Sequence, residues 1–166
     1  MDKGNGHLWS NRRGIFAAGV IGVATAIAPA AVLAGECPVG KVGVNVTKPG
    51  PMEAEGVTDM VLGSVDLSKE MVKLKDRLLR IRRLEIQPGG VVPWHDHGDR
   101  PALIYIIQGS VTEYSSNCTV PIEHKAGEAA MESVGLSHWW KNNGTEEVVL
   151  ISADILHVKK EKGDVM

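Results

Sequence analysis

Three histidines, one arginine and one tryptophan carry the chemistry available to this sequence. His95 and His97 stand one residue apart in PGGVVPWHDHGDRPALIYIIQGS (residues 88–110), and His138 follows in KAGEAAMESVGLSHWWKNNG (125–144). The i, i+2 spacing places the first two imidazoles on the same face of a β-strand. Three neutral imidazoles on rigid strands suit a divalent transition metal (Fe, Mn, Zn, Ni or Cu) and leave positions open for water or substrate. The competing reading of the histidines is a set of packed, hydrogen-bonded core side chains. Arg100 lies in the loop after His97, where it would clamp a substrate carboxylate bidentately or form a structural ion pair. Trp140 shares the face of His138 and is expected to wall an apolar pocket beside it. No paired acid and base flank the histidines, so a metal would have to activate substrate or oxygen itself.

Strand parity assigns the neighbours. Asp96 alternates with the two histidines and points away from them. Gln108 shares the parity of Ala102, Ile104 and Ile106 and is expected on the inner face, whereas Tyr105 has the other parity and is expected to pack. Trp94 and Trp139 are expected between layers or at a subunit contact. Glu113 is expected at the surface, and His124 and His157 are read as surface or hydrogen-bonded histidines.

The elements that must position these residues are short strands. Apolar runs bounded by turn signals fall at Met60–Val65, Leu78–Ile86, Val91–His97, Ala102–Gln108, Val111–Tyr114, Ala129–Ser133, Ser137–Lys141 and Val148–Leu156, which argues for a β-sandwich or barrel. The apolar phase shifts between Ile81 and Leu84 and predicts a bulge there. Asp66–Met71 reads as one helical turn. Gly109-Ser110 and residues 142–147 (NNGTEE) read as hairpin-type turns.

The ends differ from this body. Arg12 and Arg13 precede 22 uncharged residues, Gly14 to Gly35, the three-part pattern of an export signal with cleavage expected after Ala34. An uncleaved membrane anchor is the alternative. RRGIF is similar to a twin-arginine signal. The expected organisation is an export signal over 1–34, an irregular arm over 35–56, a barrel over 57–158 and a charged tail over 159–166. The protein is thus expected in the periplasm or secreted, with no membrane contact once the signal is removed. Cys37 and Cys118 would pair in an oxidising compartment or remain two thiols.

With 166 residues, 43% of them hydrophobic, the chain is long enough for one domain with a core. Its net charge of −2, or −4 after loss of residues 1–34, gives no electrostatic basis for binding nucleic acid. The Arg80, Arg82 and Arg83 cluster is read as a solvated strand face.

The spacing around the histidines resembles that of the cupins. Gly89, His95, His97 and Gly109 reproduce the spacing of their first motif, and Gly127, Gly135, His138 and Asn142 that of the second, with Ser133 where the motif has Pro. The resemblance covers about residues 57–157 and implies an all-β, double-stranded β-helix (jelly-roll barrel). It carries metal ligation to His95, His97 and His138 only. Ala102 stands where the family usually supplies a Glu ligand, so a three-histidine site similar to that of some dioxygenases is implied, more Lewis-acidic for want of the carboxylate. A site that has lost its metal and binds a small molecule alone is the alternative. Two functions are implied: a metal-dependent, dioxygenase-like oxidoreductase acting on a small molecule, or a non-catalytic barrel that holds a metal or small ligand. The resemblance also implies a homodimer.

Overall fold

Alternating apolar and polar residues bounded by glycine and proline turns fold here into strands. The computed structural model describes residues 35–158. Eight strands follow in chain order: β1 (Glu55–Asp66), β2 (Arg77–Asp96), β3 (Ala102–Gln108), β4 (Ser110–Ser115), β5 (Ile122–Lys125), β6 (Ala129–Glu132), β7 (Ser137–Lys141) and β8 (Val148–His157). All pairings are antiparallel. The hydrogen-bonded order is β5-β4-β7-β2-β8-β3-β6, with β1 on the flank of β2, an all-β arrangement of the jelly-roll type. Among the described residues there is no helix long and apolar enough to cross a membrane. The expected export signal lies outside the described residues.

β2 organises the barrel. Its first half, Arg77–Ile86, pairs with β8, and its second half, Val91–Asp96, pairs with β7. The two runs read as separate strands are thus one strand that changes partner at Pro88-Gly89-Gly90. Proline cannot donate to a ladder and the glycines allow the bend. Gly90 is also required sterically, because a Cβ there would lie 2.8 Å from the Gln87 carbonyl and 2.9 Å from that of Gly56.

Three local expectations are corrected. The β2–β8 register runs unbroken past Ile81–Leu84, and the irregularity falls on β1 between Val61 and Gly63; the extra residue belongs to the partner strand. Residues 66–71 form a turn, closed by Lys69 N–H to Asp66 O at 3.1 Å and an Asp66–Ser68 side-chain turn, not a helical turn. Neither Gly109-Ser110 nor 142–147 closes a hairpin, because β3 does not pair with β4 nor β7 with β8. Both are corners where the chain passes to a strand that is not its neighbour. Asn142 braces the second corner, donating from Nδ2 to the carbonyls of Ile86 (2.9 Å) and Glu146 (2.7 Å).

The ladder stacks inward-facing side chains in rows. Ile86 faces Val148, and Leu84, Leu150 and Ile106 form the next row. These are buried and make the core with Val111 and Trp140. One row further, Arg82, Ser152, Ile104 and Ala130 align, and then Arg80, Asp154, Ala102 and Glu132. The interior therefore grades from apolar to charged along the barrel. On the outer face Ile81, Ala153, Leu103 and Met131 align in register, and Leu103 and Met131 are 60% and 72% exposed. Tyr105, expected to pack, is half exposed on this face. A register shift between Ile106 and Gln108 turns Gln108 outward, against the expectation from parity.

The arm is tied to the barrel by a Cys37–Cys118 disulfide and by a Val42–Cys118 bridge. A crosslink spanning 81 residues contributes about 4 kcal/mol on the chain-entropy model. The Cys37→Ser/Cys118→Ser variant should therefore unfold at lower denaturant by about that amount with its strand content intact, as read by circular dichroism during urea titration.

Candidate metal centre

His95 closes β2 and lies directly opposite His138 on β7, while His97 follows just past the end of β2. The three rings form a near-equilateral triangle, with centroids 4.7–4.8 Å apart. Each ring is oriented from behind through Nδ1. His95 Nδ1 donates to the Pro93 carbonyl at 2.7 Å, His97 Nδ1 to the Arg100 carbonyl at 2.9 Å, and His138 Nδ1 to Glu113 Oε1 at 2.7 Å. Carbonyl and carboxylate oxygens accept only, so these contacts place a proton on each Nδ1 and turn each Nε2 to the interior.

A carboxylate joins them. Glu132, buried on β6, places Oε2 3.3 Å from His97 Nε2 and Oε1 3.3 Å from His138 Nε2. His95, His97, Glu132 and His138 each offer a ligand atom, all within 4.8 Å of one another. A carboxylate thus stands beside the three histidines expected as ligands. Ala102 indeed has no donor, but its ladder partner is Glu132. The neighbouring strand thus brings a carboxylate beside the position where the chain has none. No spacing rule pointed to Glu132; only the β3–β6 register does.

The electrostatics show a cluster that attracts positive charge. Burial pushes His95 down to about 4 and His97 down from its ordinary value, so both are neutral. Burial alone would also lower His138, but Glu113 and Glu132 outweigh it and hold His138 up at about 9. Its Nε2–H then donates to His97 Nε2 at 3.0 Å. Burial would raise the carboxyls, yet their histidine partners keep Glu132 low and Glu113 down at about 2. The Nε2 lone pairs of His95 and His97, a third freed when His138 Nε2 gives up its proton, and one carboxylate, enclosed by strands, fit a divalent transition ion.

Glu113 was expected at the surface and is buried. Its second oxygen accepts from His124 Nε2 at 2.8 Å, so it bridges two histidines. His124 is fully buried and stacks on Trp140 with centroids 4.6 Å apart. Strand parity carried the missed signal: Val111, Glu113 and Ser115 are all buried on β4.

A cleft of about 330 Å³ adjoins the cluster, lined by His95, Glu132, Arg100, Arg82, Trp140 and an apolar wall. Both residues expected to position a substrate, Arg100 and Trp140, therefore face it. Arg100 is 28% exposed and its nearest carboxylate is Asp154 at 3.9 Å; burial and neighbouring Arg82 lower its pKa. Asp99 pairs instead with Arg77 and His157. Trp139 stacks on Tyr114 at 4.0 Å, Trp94 is half-buried, and Asp96 is exposed.

A jelly-roll barrel with a histidine–carboxylate cluster opening onto an interior cleft defines a class, and comparison with known proteins names it. Residues 82–154 match the cupin domain model. Germin-like protein 5-1 of Oryza sativa subsp. japonica is 29% identical over 110 residues, 61% of this chain and 49% of that protein. The chain thus spans about half the length of this curated relative. Among solved structures, the cupin domain of Schizosaccharomyces pombe Cnp3 aligns with a TM-score of 0.48 at 16% identity, over 62% of this chain and 67% of that one. The cupin domain of an XRE family transcriptional regulator from Enterobacter cloacae gives 0.48 at 10% identity, over 63% and 100%. Residues 82–154 are thus a cupin domain.

Two outcomes follow from this geometry. Without metal, stability should rise from pH 4 to 6.5, where the unfolded chain binds the proton that folded His95 refuses, and fall from 6.5 to 9, where only folded His138 keeps its proton. Denaturant midpoints measured in chelator across this range should therefore peak near pH 6.5. Glu113→Gln removes the charge that orients His138 and should weaken metal binding by about 10- to 100-fold, measured by chelator competition.

Proposed function

We propose that this cupin is an exported metalloprotein that holds one divalent transition metal through His95, His97 and His138, with Glu132 as a fourth ligand, and acts on a small molecule in the adjoining cleft. The observation that carries this reading is the convergence of three Nδ1-anchored imidazoles and one buried carboxylate at the wall of a cleft. The mixed nitrogen and oxygen set suits iron or manganese and accommodates zinc, nickel or copper. A bound ion would supply Lewis-acid or one-electron chemistry, in keeping with a dioxygenase-like oxidoreductase.

The chain's own residues do the rest. Glu113 fixes the His138 tautomer and orientation. Trp140 and the apolar wall exclude water from one side of the cleft, and Arg100 orients the substrate. A non-catalytic metal- or ligand-binding role is the second reading. It is favoured by the cleft's carboxylates being engaged, Asp59 with Arg82 and Glu132 with the histidines, which leaves no free acid or base. Oxygen-dependent turnover separates the two.

Export is supported by the Cys37–Cys118 disulfide, a bond that oxidising compartments sustain. Assembly as a homodimer is supported by the exposed apolar row on the outer face, which a second copy would cover.

Elemental analysis of the untagged mature protein tests the metal. About one equivalent of a transition metal should be found, lost in His138→Ala and bound more weakly in Glu132→Ala. Wild-type affinity in Glu132→Ala would return the site to three histidines, and no metal after anaerobic Fe(II) loading would overturn the reading.

A further inference from the structure

Two arginines line the cleft, and one of them is hydrogen-bonded to no carboxylate. Arg80, Arg82 and Arg100 gather around Asp154, which is fully buried. Arg80 takes that carboxylate in bidentate fashion, Nε to Oδ1 at 3.0 Å and an Nη to Oδ2 at 2.7 Å. Arg82 is held by Asp59 at 2.5 Å and donates to Ser152 Oγ at 3.1 Å. Asp154 and Asp59 thus hold Arg80 and Arg82, and Arg100, which also feels the charge of Glu132, is left without a hydrogen-bonded carboxylate. Among the described residues the Arg100 guanidinium makes no hydrogen bond, its one ionic neighbour being Asp154 at 3.9 Å. Nearby, the buried Nε of Arg82 also lacks a partner. Both side chains line the cleft.

A guanidinium on the cleft wall that no neighbour hydrogen-bonds is left for an acceptor that enters the cleft. Planar guanidiniums match planar carboxylates. One guanidinium without a hydrogen-bonded partner matches a single carboxylate. The remaining wall, with Leu84, Ile104, Leu150, Val92 and Trp140, suits an apolar body, and the volume of about 330 Å³ is at the small end of ligand pockets.

We infer that the cleft selects a small monocarboxylate with an apolar body, its carboxylate held by Arg100 and Arg82 and its body lying on Leu84, Leu150, Ile104 and Trp140 beside the histidine cluster. Arg82 is thereby a specificity residue, although the sequence placed it on a solvated face. Its inward direction follows from sharing parity with Leu84 and Ile86 on β2. The inference deepens the proposed function by naming the ligand class, and rests on that reading only in placing the ligand next to the metal.

The test titrates the full mature protein, as isolated and after chelator stripping, with butyrate and benzoate, with their uncharged amides and with inorganic phosphate, by calorimetry. The acids should bind at least about tenfold tighter than the amides and phosphate. That preference should be lost in Arg100→Gln and reduced in Arg82→Gln. It should persist in Arg83→Gln, whose side chain pairs with Glu85 outside the cleft. Metal content measured on each sample keeps the two readings apart, since acid preference in stripped protein upholds the arginine clamp even if no metal binds. Equal binding of acids and amides would overturn the inference. So would preference for phosphate, or an acid preference that survives Arg100→Gln but vanishes on stripping, which would place the carboxylate on the metal.

Discussion

The structure depends on the antiparallel register that runs from β2 across β8 and β3 to β6. Because side chains alternate faces, this register decides which residues from four distant segments meet inside. It sets Arg80, Asp154, Ala102 and Glu132 in one inward row and Arg82, Ser152, Ile104 and Ala130 in the next. A slip of one residue in β8 would turn Asp154 and Ser152 outward and leave Arg80 and Arg82 facing an apolar interior. The bend of β2 at Pro88–Gly90 carries the same strand onto a second partner, where His95 meets His138. Core, cleft wall and histidine cluster are therefore fixed by one set of backbone pairings.

The barrel grades from an apolar floor to a charged row in which each buried carboxylate is partnered. Asp154 is buried against arginines, Glu113 is shared by two histidines, and Glu132 sits between His97 and His138. Each charge is costly to bury and stays only because its partners come from other strands. The polar interior thus reinforces the register that created it.

This explains what was legible in the sequence. A cupin domain and an all-β barrel could be read from two spaced histidine segments and from regular turn signals, and His95, His97 and His138 do converge. These features are local, lying within one strand or one turn. Glu132 was not legible, because its place follows from pairing with Ala102, and nothing in the chain near residue 132 announces that partner. Glu113 and Arg82 were assigned to solvent because their residue types usually are solvated. Their parity with Val111 and Leu84 pointed inward, but parity alone does not say whether a buried counter-charge awaits. Gln108 failed the other way, since a bulge at the strand end reversed a phase that looked secure.

The long reach of the β2–β8 ladder has a kinetic side. Arg77 pairs with His157, and Ile86 with Val148, so the middle of the barrel is closed by its final strand. Chains whose contacts lie this far apart pay loop-closure entropy before most of the stabilising contacts form, and they fold slowly. Ser152 and Asp154 arrive on that last strand, while the arginines they hold are made some seventy residues earlier. A ribosome-bound chain lacking β8 would carry the histidine segments but no finished cleft wall, so the pocket is completed only when the barrel itself closes.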